Sequence, residues 1–195
     1  MTSPERIAYV INSFEGGGAA SMVPAVTGFF HARGCQVRVF ALTPRDRRAE
    51  PALQAAGLSL HVREGGEHDH LGAYSWLRRE MSDWRPTQIW TSLTRATLIG
   101  QQVGRRLGVP VISWQHNAFL KPGNIRLLRA TRRLSTLWIC DSQAVTDITR
   151  ERLHISAQRL LCWPVFQASP SVTPARPWSA GEPVRLGSLG RLHVI

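Results

Sequence analysis

The sequence predicts an α/β fold, a doubly wound parallel sheet of about seven strands with helices on both faces. Short apolar runs rich in β-branched residues, such as IAYVI at 7–11, are typical of strands buried on both faces. Amphipathic helical segments alternate with these runs, and the connections are short. The 195 residues, 43% of them hydrophobic, suffice for one well-packed domain.

Local patterns predict the individual elements. Strands are expected at 7–11, 36–42, 58–62, 88–93, 109–115 and 136–142, with a last short strand within 157–163. Apolar residues at helical spacing predict helices at 19–31, 50–57, about 71–84, 95–108, 125–134 and 144–155. Gly34, Gly57 and Pro86 follow helices, where such residues commonly end them.

The end of the chain differs in composition. Residues 164–183 carry five of the twelve prolines and no periodic pattern, and a strand-like run begins at residue 184. We therefore predict a first domain over 1–165, a Pro-rich linker over 166–183, and the first strand of a truncated second domain over 184–195. A strand without a following helix makes no domain, so we expect a fragment of a longer protein.

The net charge of +11 favours anionic partners such as phosphorylated molecules, nucleic acid or anionic lipid. The arginines are scattered and not interleaved with aromatic residues, so no specific nucleic-acid partner is predicted. The basic segment at 125–134 leaves two interpretations open, a solvated helix face or peripheral contact with an anionic membrane. The absence of a signal-like start or a long apolar stretch predicts a cytoplasmic protein, with any membrane contact on the inner face.

Neither a disulfide framework nor a metal site is predicted. The three cysteines are widely spaced and odd in number: Cys35, Cys140 and Cys162. The histidines around the loop at 63–70 have no recognised ligand spacing: His61, His68 and His70.

Three consecutive glycines, Gly16, Gly17 and Gly18, separate the first strand from the first helix. Without a Cβ they let the backbone approach a ligand, and the following helix N-terminus can face an anion. Ser21 is expected to cap that helix, with Pro24 in its first turn. The pattern fits neither the dinucleotide fingerprint nor the Walker loop. On position alone, an anion or sugar site and a plain tight turn are equally good interpretations.

His116 and Asn117 follow the strand at 109–115, on the edge of the sheet where the glycines are expected. Doubly wound sheets bind ligands in a crevice at this edge. A ligand site is therefore favoured here over an exposed loop.

Polar residues follow two further strands at the same edge. Ser92 and Arg95 are placed to contact a substrate, although capping of the next helix by Thr94 explains the pattern equally well. Asp141 and Ser142 are placed similarly, with helix capping the favoured role of Ser142.

In this order and spacing, the motifs resemble the N-terminal half of a group 1, family 4 retaining glycosyltransferase of the GT-B fold. The resemblance covers the whole chain and rests on RIAYVINSFEGGGAASM, GFFHARGCQVRVFAL, VISWQHNAF, LWICDSQAVTDITRERLHI and VRLGSLGRL. It implies a Rossmann-like domain that mostly holds the acceptor, facing a second domain that holds the nucleotide sugar.

The resemblance also implies roles for single residues. Gly17 and Gly18 match a glycine loop that lies under the donor's phosphates and sugar, and Gly16 begins it. His116 matches a histidine that contacts the transferred sugar, and Arg191 matches an arginine that pairs with the donor diphosphate. On the acceptor side the candidates are Ser92, Arg95, Asn117 and Ser142.

The sequence departs from the family pattern at two positions. Ala20 stands where a glutamate is common, and Trp163 stands where an asparagine usually precedes the proline. The chain also lacks the region that binds the donor sugar and ribose.

Two functional hypotheses follow. In the first, the chain is part of a bacterial enzyme of class EC 2.4 that transfers a sugar from a nucleoside diphosphate sugar to a glycan or lipid-linked acceptor. The resemblance implies retained configuration, no cofactor, and a role in polysaccharide or glycolipid assembly. The chain alone is expected to be inactive without its C-terminal partner domain. In the second, it is a stand-alone Rossmann-like module that binds a nucleotide, nucleic acid or protein without catalysis.

Overall fold

The computed structural model describes residues 4–116, 119–164, 171–184 and 186–187, and their strands form one seven-stranded parallel sheet. The strands are β1 (Arg6–Ile11), β2 (Gln36–Ala41), β3 (Ser59–Val62), β4 (Gln88–Ser92), β5 (Val111–Gln115), β6 (Leu137–Cys140) and β7 (Leu160–Cys162). Their order is β3-β2-β1-β4-β5-β6-β7, which confirms the predicted doubly wound sheet. The order reverses between β1 and β4, where such sheets open a crevice beyond the carboxyl ends of the strands.

Seven α-helices connect the strands in the described ranges: α1 (Gly18–Ser21), α2 (Val23–His31), α3 (Glu50–Ala55), α4 (His70–Trp84), α5 (Thr94–Leu107), α6 (Pro122–Thr131) and α7 (Gln143–Leu153). Short 3-10 turns follow at Arg132–Leu134 and Ala157–Arg159. The prediction of one continuous helix at 19–31 is wrong in one respect, because the segment is divided at Met22 into α1 and α2. The predicted Ser21 cap is also wrong, since the Ser21 hydroxyl donates instead to the Gly18 carbonyl over 2.9 Å.

The sheet is buried on both faces, and β1 shows why its sequence is continuously apolar. Ile7, Tyr9 and Ile11 face α1, α2 and α3, whereas Ala8 and Val10 face α4 and α5. Side chains alternate along a strand, so helices on both faces require apolar residues at every position. A third cluster joins α6, α7 and β6 around Leu128, Trp138 and Leu153.

Helix α5 packs unusually close to the sheet through two glycines. A Cβ at Gly100 would lie 2.4 Å from Thr91 Cγ2, and one at Gly104 would lie 2.8 Å from the Val109 carbonyl oxygen. The start of α5 is held by a distant residue, because the Ala96 amide donates to Asn12 Oδ1 over 2.8 Å. Of the two interpretations left open for this strand end, capping of α5 by Thr94 is wrong, because Leu93 is the N-cap residue and makes no side-chain capping bond.

Two of the four arginines of the basic segment at 125–134 have structural roles. Arg129 donates to the Arg152 carbonyl, and Arg132 donates to the His154 carbonyl over 3.1 Å. These carbonyls lie at the end of α7, where cations also interact favourably with the helix dipole. Part of the positive charge on this helix therefore stabilises its neighbour.

Residues 171–184 contain no helix or strand and are almost fully exposed. The predicted strand from 184 onwards lies mostly outside the described residues. Within the described ranges, no helix has the length and apolarity needed to cross a membrane.

Candidate active site

Two cavities open at the carboxyl edge of the sheet. The smaller, about 480 Å³, is lined by Gly16, Gly17 and Gly18 together with Glu15 and Asp141. We call it the glycine cavity. The larger, about 800 Å³, lies between α4, α5, α6 and the segment after β5, and we call it the apolar cavity. Leu93 and His116 line both cavities, so these two residues form the partition between them.

His116 is held by partners from the two strands beside β5. Its Nδ1 lies 2.9 Å from Asp141 Oδ2, after β6, and its Nε2 lies 2.5 Å from Ser92 Oγ, at the end of β4. When the Nδ1 proton is donated to Asp141, Nε2 is the acceptor and Ser92 donates to it. The strand order therefore fixes both the ring orientation and the tautomer of His116.

Two tryptophans lie behind this histidine. The Trp114 ring stacks on His116 with centroids 5.4 Å apart, and the Trp163 ring stacks on Trp114 with centroids 5.2 Å apart. Trp114 Nε1 also donates to Asp141 Oδ1, so one buried ring supports both members of the pair. Trp163, one of the two departures from the family pattern, thus completes an aromatic stack that ends at His116.

Serine, histidine and aspartate in a row resemble a hydrolase triad, but the geometry does not suit a nucleophile. The Ser92 side chain is fully buried, and its hydroxyl is already hydrogen-bonded to His116. Nearby, burial raises the pKa of Tyr9 well above its ordinary value of 10.0. The Tyr9 hydroxyl lies near Ser92 but has no well-formed hydrogen bond within the described residues. The buried Ser92 hydroxyl is therefore a hydrogen-bond partner of the histidine.

Gly16 and Gly18 have different surroundings. A Cβ on Gly16 would lie 3.4 Å from Arg48 Cβ, an ordinary van der Waals contact. A Cβ on Gly18 would meet no atom within 4 Å. Gly18 therefore leaves space in the cavity, while Gly16 lies against the side chain of Arg48.

Ion pairs tie the glycine loop to its surroundings. Arg45 donates to Glu15 over 2.6 Å and to Glu67 over 2.5 Å, which joins this loop to the loop before α4. Hydrogen bonds from Arg48 and a smaller contribution from the Gly16 amide lower the pKa of Asp46.

The loop before α4 positions Arg95 at the apolar cavity. Arg95 Nη2 donates to the carbonyls of Gly66 and Asp69 at 3.3 and 3.2 Å. Burial, and then the nearby charge of Arg63, lower the pKa of Arg95. Asp69 caps α4 by accepting from the Gly72 amide at 2.8 Å, and its pKa is lowered mainly by this bond and then by Arg63.

The sequence-predicted site residues separate into groups. Gly16, Gly17, Gly18 and His116 line one cavity, and Arg95 lies in the other. Ser92 reaches ligands only through His116. The favoured role of Ser142 as a helix cap is seen, since its Oγ accepts from the Val145 amide over 3.3 Å. Asn117 and Arg191 lie outside the described residues.

Sequence reasoning underrated Asp141 and missed Trp114 and Asn12. Asp141 was visible as a polar residue after β6, but its pairing with His116 depends on which strands are neighbours. His61 lies apart from the site, 3.3 Å from Glu80 and stacked on Phe40. Within the described ranges, no group of three or more His, Cys, Asp or Glu side chains is arranged to hold a metal ion.

The fold is that of the N-terminal domain of GT-B glycosyltransferases. The Anabaena protein HepE, crystallised with UDP, matches with a TM-score of 0.69 and 15% identity over 80% of this chain and 43% of its own. MurG of Acinetobacter baumannii matches with a TM-score of 0.64 and 17% identity over 86% of this chain and 47% of its own. The lipopolysaccharide outer core galactosyltransferase WaaB matches with a TM-score of 0.66 and 13% identity, over 80% of this chain and 44% of its own. The chain thus spans less than half the length of these structures.

The chain belongs to Glycosyltransferase Family 4, whose family model matches residues 16–165. No curated protein matches the sequence closely enough to count as a relative.

Proposed function

We propose that the chain is the acceptor-side domain of an enzyme that transfers a sugar from a nucleoside diphosphate sugar, with retention, to a glycan or lipid-linked acceptor. Membership of the family supports sugar transfer. One structural observation carries the proposal further: His116 lines both the glycine cavity and the apolar cavity. A group at this partition can touch a donor sugar on one side and an acceptor on the other.

In this proposal His116 positions substrates and is not a nucleophile. Asp141 keeps Nδ1 protonated, so Nε2 offers an acceptor to a sugar hydroxyl in exchange for the Ser92 hydroxyl. Transfer of a sugar depends on alignment of donor and acceptor, and such alignment accounts for a large part of catalysis.

The glycine cavity supplies space but no positive charge. Its described lining includes two carboxylates, Glu15 and Asp141, and no arginine or lysine. A donor diphosphate needs cations in the transition state. We infer that these come from Arg191 and from a C-terminal domain, so the chain alone is inactive. HepE was crystallised in complex with UDP, so UDP is the first nucleotide to test.

Peripheral membrane contact is a second part of the proposal. Arg126 and Arg133 belong to the basic segment and are not among the arginines that cap α7. An exposed basic helix beside a lipid-linked acceptor site is suited to an anionic surface.

The test is sugar transfer by the full-length protein of which this domain is proposed to be part. Nucleotide release is measured with a panel of nucleoside diphosphate sugars, and the anomeric configuration of the product is read by NMR. The chain alone should be inactive. A His116→Ala variant of the full-length protein should transfer sugar roughly a hundredfold more slowly than the wild type. His31→Ala, at an exposed histidine on α2, is the matched control. An inverted product would contradict retention, and full activity of His116→Ala would contradict the proposed site.

A further inference from the structure

The apolar cavity carries a cluster of large, exposed apolar side chains on its wall. Three side chains on its wall are strongly exposed: Leu71 at 82%, Phe119 at 66% and Leu127 at 53%. They come from α4, the segment after β5, and α6, so they face one space from three directions. Exposed apolar surface is unfavourable by about 25 cal/mol per Å², and such clusters mark binding sites.

Positive charge lies in the same cavity. Arg95 and Lys121 line it, and no carboxylate does so among the described residues. The Arg95 Nε is buried and has no hydrogen-bond partner in the described part of the chain. Lys121, the only lysine of the sequence, is exposed just before α6. Glu67 and Asp69 interact electrostatically with Arg95, but neither lines the cavity. An anionic group entering the cavity would therefore meet both cations and no carboxylate on the described wall.

We propose that the apolar cavity binds an anionic amphiphile as the acceptor. Its apolar segment lies against Leu71, Phe119 and Leu127, its phosphate or carboxylate pairs with Arg95 and Lys121, and its hydroxyl reaches His116. This inference rests on the proposed function, because it names the class of acceptor for that reaction. A bilayer lipid and a free amphiphile share this chemistry.

Binding to the 195-residue chain tests the inference without any sugar donor. Isothermal titration calorimetry compares monomeric decyl phosphate with decyl maltoside and inorganic phosphate. Decyl phosphate should bind at least about tenfold more tightly than either, because only it satisfies both the apolar wall and the cations. Equal affinity for decyl phosphate and inorganic phosphate, or for decyl phosphate and decyl maltoside, would overturn the proposal.

Two variants locate the binding. Leu71→Glu places an acid in the first turn of α4, where the helix dipole favours it, so the fold is retained while decyl phosphate affinity falls about tenfold. Leu161→Glu, at a residue 45% exposed on β7 and outside the cavity, is the matched control. Lys121→Gln should weaken decyl phosphate several-fold and leave decyl maltoside unchanged. Wild-type affinity in Leu71→Glu would contradict the proposal.

Phosphatidylcholine vesicles with and without phosphatidylglycerol distinguish the sources. Vesicle binding that Leu71→Glu abolishes identifies a bilayer lipid, and binding of free decyl phosphate without vesicle binding identifies a free acceptor. The inference is overturned if decyl phosphate does not bind and if vesicle binding is the same in Leu71→Glu, Lys121→Gln and the wild type.

Amphiphile binding without sugar transfer by the full-length protein would contradict the proposed function alone. Transfer only to water-soluble glycans, without amphiphile binding, would contradict this inference alone.

Discussion

The glycine cavity and the apolar cavity share one edge of the sheet and two residues, yet their chemistry is opposite. The first is small, lined by backbone, and carries Glu15 and Asp141. The second is larger, lined by leucines and aromatic side chains, and carries Arg95 and Lys121. Under the proposed function, this difference lets the domain hold the acceptor largely by itself, while the donor needs charge from a second domain.

The partition between the cavities is built with backbone strain. Leu93 has φ 75° and ψ 156°, a region that is almost restricted to glycine. Strain of this kind costs about 1–3 kcal/mol and persists only where the surrounding structure enforces it. Here the short connection from β4 into α5 enforces it, and the result places a leucine side chain between the two cavities.

The largest expected effect comes from removing the support of the partition. Trp114→Ala deletes a side chain that is 1% exposed and should lower the free energy of unfolding by about 3–5 kcal/mol. Trp163→Ala, on a partly buried ring, should cost about 1–2 kcal/mol. Urea denaturation followed by circular dichroism measures both. Equal losses of stability would contradict a larger contribution from Trp114, which is more deeply buried and donates a hydrogen bond to Asp141.

A second change separates the two cavities. Gly18→Ala adds a methyl group where the protein has open space, so stability should hold while donor affinity of the full-length protein falls about tenfold. Amphiphile binding should not change. Gly28→Ala, on α2 and also with open space, is the control and should only stabilise the helix by about 0.5–1 kcal/mol. A parallel loss of amphiphile binding in Gly18→Ala would show that the cavities are one site.

A third pair of variants tests the strained leucine. Leu93→Gly and Leu93→Ala both remove the side chain, but only glycine adopts the observed dihedral angles without strain. Leu93→Gly should therefore be more stable than Leu93→Ala by about 1 kcal/mol, the reverse of the usual order in ordered backbone. Thermal unfolding of the two proteins gives the comparison. A more stable alanine variant would show that the backbone at 93 is unstrained.

The smallest effect is a pH dependence at the start of α4, where Asp69 is the capping residue. The pKa of Asp69 is lowered in the folded protein, chiefly by the Gly72 amide and then by Arg63. Its contribution is therefore present above the ordinary carboxylate pKa of 3.8 and is lost as pH falls below about 4. Asp69→Asn keeps a capping acceptor without a charge, so the urea midpoint should fall less between pH 6 and pH 3 than in the wild type. An identical fall in both proteins would assign the acid sensitivity to other carboxylates, such as Asp46.

The sequence predicted the strands of the sheet well because a strand buried on both faces has to be apolar at every position. It also predicted that His116 and the glycine loop lie at the same edge of the sheet, where the structure has them, since strand ends share one edge of a parallel sheet. It failed at the start of α2, where Met22 divides the expected helix, and at Ser21, whose hydroxyl found a nearer partner. Local capping rules could not foresee that Asn12, more than eighty residues away, would hold the start of α5.

The sequence by itself determined the alternation of strands and helices and the residue types at strand ends, because both follow from local periodicity and position. Only the tertiary structure decided that Ser92 and Asp141 hold His116 between them, because the strand order brings three separate loops together. It also decided that Leu71, Phe119 and Leu127 face one cavity. The physical reason is the same in each case: a contact between distant segments depends on packing, which local patterns do not encode.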